Sequence, residues 1–152
     1  MVGYWNNKEE TAASFRNGFF RTGDIGYQDS NGYFYILDRA KDMVVTGGEN
    51  VYSGEVEGII FTHPAVRDVA VFGIPDTRWG ELVAACVVLK PGTQLTPDGL
   101  AAYCRQFVAN YKVPRRIDFS ETELPKSGSG KVLKRVLRER FWAGAARSVG
   151  PV

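Results

Sequence analysis

The stretch VRDVAVFGIPDTRWGELVAACVVL, residues 66–89, decides the fold. It holds two apolar, β-branched runs, 66–74 and 82–89, separated by the polar PDTRWGE. Runs this short, rich in valine and bounded by Pro and Gly, read as strands. Upstream, Ser53 is a plausible N-cap, with Glu55 and Glu57 placed well for the helix dipole, so a helix is expected over about 53–62. Residues 42–46 read as a short strand broken by Gly47-Gly48. Further back, aromatic and β-branched segments at 19–27 and 33–38 flank QDSNG, the signature of a β-hairpin, and 8–16 reads as a short helix stopped by Asn17-Gly18. Downstream, Thr96-Pro97 caps a helix running to about 109, with Leu100, Tyr103, Cys104 and Phe107 on one face. Residues 116–119 are a last strand, KSGSGK at 126–131 a flexible loop, 132–142 a terminal helix, and 143–152 a frayed tail. Strands linked partly by helices and partly by short turns make an α+β fold, a small β-sheet with packed helices.

The 152 residues are 44% hydrophobic and 24% charged, enough for a globular domain with its own core. Nineteen Lys and Arg against seventeen Asp and Glu leave a net charge of +2, so no strong pull toward nucleic acid or a membrane surface is expected. The basic residues are nonetheless uneven. Lys112, Arg115, Arg116, Lys126, Lys131, Lys134, Arg135, Arg138 and Arg140 fall within 112–140. That run reads as a solvated face or as a polyphosphate site, and composition favours the first. Cys86 and Cys104 lie in separate apolar runs and read as buried free thiols of a reducing cytoplasm. His63, before Pro64, has no metal-spaced partner and reads as structural. No run approaches the roughly 18 apolar residues of a membrane span, and no signal-peptide pattern is seen. A cytoplasmic location is expected, with peripheral membrane attachment left open.

Four islands rich in Gly and charge punctuate these elements: RTGD at 21–24, DRAKD at 38–42, GGEN at 47–50 and KSGSGK at 126–131. Binding residues concentrate in such loops. The last is not a nucleotide P-loop of the form GxxxxGK[ST]. Pro125 stands where the first Gly belongs, and Val132 replaces the metal-binding hydroxyl. What survives is a mobile lysine on a glycine loop before a helix. Its long stem and compact charge suit reaching a carboxylate and a phosphate together.

In this order and spacing the islands resemble the adenylate-forming family of acyl-CoA synthetases, luciferases and peptide-synthetase adenylation domains. The resemblance covers about residues 3–142, beginning with GYW at 3–5. It implies that 1–38 is the end of a large adenylation domain contributing a β-hairpin, and that 39–142 is the mobile C-terminal lid. It also implies roles for residues. Asp24 of RTGD would bind the ATP ribose, Arg39 the nucleotide's ribose and phosphates, and Lys41 would be the hinge. GGENVYSGEVE at 47–57 would enter the active site for thioester formation, and Lys131 would promote adenylation. Gly47 and Gly48 would let pantetheine pass close to backbone. Trp79 would pack on the CoA adenine, and Tyr111, Lys112, Arg115 and Arg116 would hold the CoA phosphates.

GGENVY, PDTRWGE and YKVP at 111–114 lean toward acyl- and aryl-CoA ligases, the fatty-acid–CoA ligase type first. The implied reaction activates a carboxylic acid as its adenylate with ATP, releasing pyrophosphate, then passes the acyl group to CoA, releasing AMP. Mg²⁺ would be bound mainly through the large domain, which is the implied partner. The chain is thus expected to be a piece of a longer enzyme, inactive alone, with the acyl pocket elsewhere. An aryl-acid–CoA ligase, an adenylation domain serving a carrier protein, and a non-catalytic CoA- or partner-binding module are the alternatives. No metal site is expected within the chain.

Overall fold

A computed structural model describes residues 1–143; the rest of the expected tail, from residue 144, lies outside the described residues. The chain divides into two units, Met1–Ala40 and the residues from Lys41 onward.

The first unit opens on α1 (Lys8–Ala13), capped by the Asn7 side chain, which accepts from the Glu10 N–H at 3.0 Å. β1 (Phe15–Arg16) and β2 (Phe19–Phe20) form a minimal hairpin turning at Asn17-Gly18, both at positive φ (50° and 81°). β3 (Asp24–Gln28) and β4 (Phe34–Arg39) form the hairpin expected around QDSNG. The Asp29 carboxylate closes its turn by accepting from the N–H groups of Tyr33 (3.0 Å) and Asn31 (2.9 Å). These bonds, Tyr33's above all, hold the Asp29 carboxyl below its usual range. The strand expected over 19–27 is two strands, interrupted where Gly23 takes φ +76°. No residue of 1–40 is buried, although Trp5, Phe19, Phe34 and Ile36 are large and apolar.

The second unit comprises β5 (Val44–Thr46), β6 (Glu49–Val51), α2 (Ser53–Phe61), β7 (Val66–Asp76), β8 (Gly80–Leu89), α3 (Pro97–Cys104), β9 (Arg116–Phe119) and α4 (Lys134–Trp142). β7 and β8 make a long antiparallel ladder from Val66↔Leu89 to Asp76↔Gly80. The far edge of β8 is shared. β5 pairs at Thr46↔Gly80, and β9 runs parallel from Ala84↔Arg116 to Val87↔Phe119.

Both faces of this sheet are covered, which is why β7 and β8 read as continuous apolar runs rather than alternating ones. On one face Val69, Val71, Val83, Ala85 and Val87 pack with Val56 and Ile60 of α2 and with Leu100 and Cys104 of α3. On the other, Ala70, Phe72, Ala84 and Cys86 pack with Leu137 and Phe141 of α4. The two cysteines therefore lie in separate clusters; both are free and buried, and burial pushes both thiols up.

β7 ends the sheet, and its free edge is capped by side chains. The Glu57 carboxylate accepts from the Val71 N–H at 2.7 Å, and the Trp142 indole donates to the Gly73 carbonyl at 3.0 Å. Lys134 neutralises Glu57 at 2.7 Å. Side chains that occupy edge N–H and C=O groups leave fewer of them to pair with another strand. Glu81, 2% exposed, accepts from the Val45 N–H at 3.1 Å and so ties β5 to β8, where the ladder itself has a single paired position.

Other expectations change as well: the helices expected over 8–16 and 132–142 are Lys8–Ala13 and Lys134–Trp142. Ser53 is not the N-cap of α2: Tyr52 is, without a side-chain bond, and the Ser53 hydroxyl accepts from Lys134 Nζ at 2.7 Å. α3 ends at Cys104 rather than near 109, because the chain tightens into i→i+3 turns, Gln106 to Tyr103 and Phe107 to Cys104. KSGSGK is a tight hairpin rather than a flexible loop: Lys126 bridges Val132, the Ser127 N–H donates to the Lys131 carbonyl at 2.8 Å, and Gly130 takes φ +81°.

Candidate active site

In the first unit the β3–β4 register sets Asp24 directly opposite Arg39, and the carboxylate meets Arg39 Nε at 2.8 Å. The Ala40 N–H donates to the Gly23 carbonyl at 2.8 Å, which closes the RTGD turn beside this pair. The half-exposed guanidinium keeps donors for a ligand oxygen, while Asp24 keeps acceptor capacity for hydroxyls.

In the second unit Gly47 and Gly48 are the two-residue loop between β5 and β6, at φ +60° and +86°. Two consecutive positive φ values are the geometry of a type I′ hairpin turn, which glycine adopts without strain. The Gly47 N–H donates to the Trp79 carbonyl at 2.8 Å. A Cβ on Gly47 would lie 2.7 Å from Trp79 Cε3, so the indole packs directly on bare backbone. Asp76 shapes the loop that presents Trp79, accepting from the N–H groups of Arg78 (2.9 Å) and Trp79 (2.8 Å). Beside this contact is a small cavity of about 120 Å³ lined by Thr46, Gly47, Glu49, Trp79, Leu82, Tyr111 and Arg115. It joins one glycine, one aromatic platform, one phenol and one guanidinium from three separate segments.

Gly48, Lys112 and Arg116 do not line this cavity. Lys112 turns to Glu55, bonding both carboxylate oxygens at 2.7 and 2.8 Å. Arg116 opens β9, where successive side chains take opposite faces, and it lies over Phe141 of α4, paired with Asp118 at 3.1 Å. Glu49 of the GGEN island lines the cavity too, and Thr46 and Leu82 do so without having been anticipated. Thr46 adjoins the glycine pair in sequence, but only the folded chain brings Leu82 there.

The basic run resolves into pairs. Lys112, Arg116, Lys126, Lys134, Arg135, Arg138 and Arg140 each meet a carboxylate. Among the described residues, Arg115 and Lys131 are the members of the run without an ion pair, and both are exposed. Arg115 stands at the cavity. Lys131 stands on the hairpin, whose ends are fastened by Lys126 to Asp68 at 2.7 Å and by Lys134 to Glu57. Asp68 and Asp76 are eight residues apart on β7, about 26 Å along a strand. The hairpin's Lys126 anchor and the Trp79 loop therefore belong to opposite ends of one ladder. Lys41 begins the second unit, and its carbonyl accepts from Arg138 at 3.0 Å.

The hydrogen bond from Lys112 to Glu55, against a smaller desolvation effect, raises the Lys112 ammonium above its usual 10.5. A cation raised in the folded state contributes stability that is complete below its unfolded value and lost as pH rises through the folded one. Lys112→Met should therefore lower Tm at neutral pH and lose less Tm than wild type between about pH 10 and 12. Parallel alkaline slopes in the two melting series would show that the pair contributes nothing.

Residues 55–131 match the family model of the AMP-binding enzyme C-terminal domain. The long-chain-fatty-acid–CoA ligase FadD13 of Mycobacterium tuberculosis is 47% identical over 140 residues, covering 92% of this chain and 27% of that protein. Feruloyl-CoA synthase of an Amycolatopsis species is 46% identical over 141 residues, covering 93% of this chain and 28% of that one. The structure of ATP-bound MatB from Rhodopseudomonas palustris superimposes with a TM-score of 0.83 at 41% identity, over 91% of this chain and 28% of that one. The chain spans little more than a quarter of the length of these relatives. The ordered motifs, the two-faced sheet and these similarities agree: the chain belongs to the AMP-binding enzyme family and carries its C-terminal domain.

Proposed function

We propose that the chain is the mobile lid of an ATP-dependent acyl-CoA synthetase, preceded by the last hairpin of its large domain, and that the whole enzyme converts a carboxylic acid to its CoA thioester. The observation that carries this reading is the pair of exposed cations without ion pairs, Arg115 and Lys131, one beside an aromatic-lined cavity and one on a braced hairpin. In the first half-reaction a carboxylate oxygen attacks the α-phosphorus of ATP and the bond to the β-phosphate breaks. Lys131 would neutralise charge gathering there, while Arg39 and Asp24 hold the nucleotide. In the second, the CoA thiol loses its proton, attacks the acyl carbonyl and expels AMP. Gly47 would border the pantetheine arm, with Gly48 completing its turn, Trp79, Tyr111 and Arg115 at the nucleotide end and Lys112 bracing α2 behind them.

Rotation about Lys41 would exchange the two ends of the lid. The compact units part between Ala40 and Lys41, close to the expected boundary after residue 38. The exposed apolar side chains of 1–40 fit a hairpin covered by the rest of a large domain of the same polypeptide. Mg²⁺ would reach the reaction on ATP held by that domain. No described helix is long and apolar enough to cross a membrane. A fatty acid is the favoured substrate, since FadD13 bears that name at 47% identity; the feruloyl enzyme at 46% makes an aryl acid the competitor.

The test is a ligase comprising this chain and its large domain, supplied with ATP, Mg²⁺, CoA and either palmitate or ferulate. AMP and acyl-CoA should form in equal amounts, and the 152-residue chain alone should form neither. Arg115→Ala should raise KM for CoA about tenfold, the loss of one charged hydrogen bond, with pyrophosphate release unchanged. No AMP with any acid would leave a binding module as the better reading.

A further inference from the structure

Arg138 lies on α4 with its side chain 13% exposed. Its Nη1 donates to the Lys41 carbonyl at 3.0 Å, and its Nη2 lies 3.4 Å from the Asp42 carboxylate, itself 14% exposed. The planar guanidinium thus holds a backbone oxygen and the next residue's side chain at once. One helical turn earlier on the same row, Lys134 grips Glu57 and Ser53. α4 is therefore fastened to α2 at one turn and to the first residues of the second unit at the next. The Lys41 carbonyl belongs to the rigid peptide plane joining Lys41 to Asp42. Holding that oxygen and the Asp42 carboxylate holds the plane against α4. The first backbone torsions left to turn, moving upstream, are those of Lys41.

We propose that Arg138 is a positioning residue that sets the pivot of the lid: it clamps the Lys41–Asp42 peptide to α4, so that rotation is confined to the torsions of Lys41. This rests on the reading of the chain as a lid that turns about Lys41 between half-reactions. A hinge works through a few residues that absorb the whole torsional change. A pivot that slid into 42–43 would deliver Lys131 and the Gly47 turn out of register.

Two arms test this. In the 152-residue chain, Arg138→Met should raise amide hydrogen exchange across 41–45 about tenfold while β7 and β8 amides stay within about twofold of wild type. Lys134→Met cuts another fastening of α4, one turn away, and should leave 41–45 unchanged. An equal rise in both variants would show that Arg138 merely holds the helix, and would overturn the proposal. In the longer ligase, Lys41→Pro freezes φ at the pivot and should stop thioester formation. Adding Arg138→Met frees the torsions of Asp42 and Met43 and should restore acyl transfer at least about tenfold over Lys41→Pro alone. Lack of restoration overturns the clamp. Wild-type acyl transfer by Lys41→Pro would instead overturn the lid reading, and the proposal with it, even where the exchange result holds.

Discussion

Lys131→Ala in the full ligase is expected to slow acyl-adenylate formation by about 10²–10³-fold, the cost of removing one donor aimed at transition-state charge. Thioester formation from supplied acyl-adenylate should proceed at the wild-type rate. The Lys131 side chain is exposed and makes no ion pair, so its loss removes no packing and leaves no buried partner. The hairpin that carries it is held by backbone bonds that alanine keeps, Ser127 N–H to the Lys131 carbonyl and Gly130 N–H to the Ser127 carbonyl, both 2.8 Å. Tm should therefore be unchanged. Pyrophosphate release and acyl transfer from synthetic adenylate, measured separately, check the split. Equal losses in both would make Lys131 a structural residue. Acetylation of Lys131 removes the same charge and should reproduce the adenylation defect.

At the other end of the ladder, Gly47→Leu should reduce acyl transfer to CoA by about 100-fold or more while pyrophosphate release continues. Its Cβ would come 2.7 Å from Trp79 Cε3, so either the indole swings out of the cavity wall or the turn is displaced. Gly48→Leu is the informative partner. A Cβ there meets nothing within 4 Å, and its φ of +86° adds strain on the order of 1–3 kcal/mol. It should lower Tm and affect transfer far less. Enzyme-bound acyl-adenylate should accumulate with Gly47→Leu in a single-turnover assay. Equal transfer defects in two equally folded variants would mean that the contact between Gly47 and Trp79 does not shape the thiol's route.

These two variants show what proximity along the chain reveals. The strands at Val66–Asp76 and Gly80–Leu89 were legible because a strand buried on both faces must be apolar at nearly every position. The cap at Thr96 with Pro97 was legible because its partners lie within one turn: the Thr96 hydroxyl accepts from the Gly99 N–H at 3.1 Å. Lys131 was legible as a candidate because its glycine loop is contiguous. The sequence also determined the family, since its islands lie in one order at one spacing.

Where a side chain finds its partner far along the chain, only the tertiary structure decided. Ser53 looked like a cap, yet its hydroxyl is taken by Lys134, eighty-one residues away. Arg115 and Arg116 are neighbours in sequence, yet one stands at the cavity and the other lies over Phe141 of α4. Nine basic residues looked like one surface until seven found carboxylates. Arg138 bonds the Lys41 carbonyl across ninety-seven residues, to an atom that every residue possesses. Composition and local pattern record which charges a chain carries. Which of them remain available to a ligand depends on Coulomb and hydrogen-bond partners that act over a few ångströms, and those distances exist only once the sheet has brought its helices together.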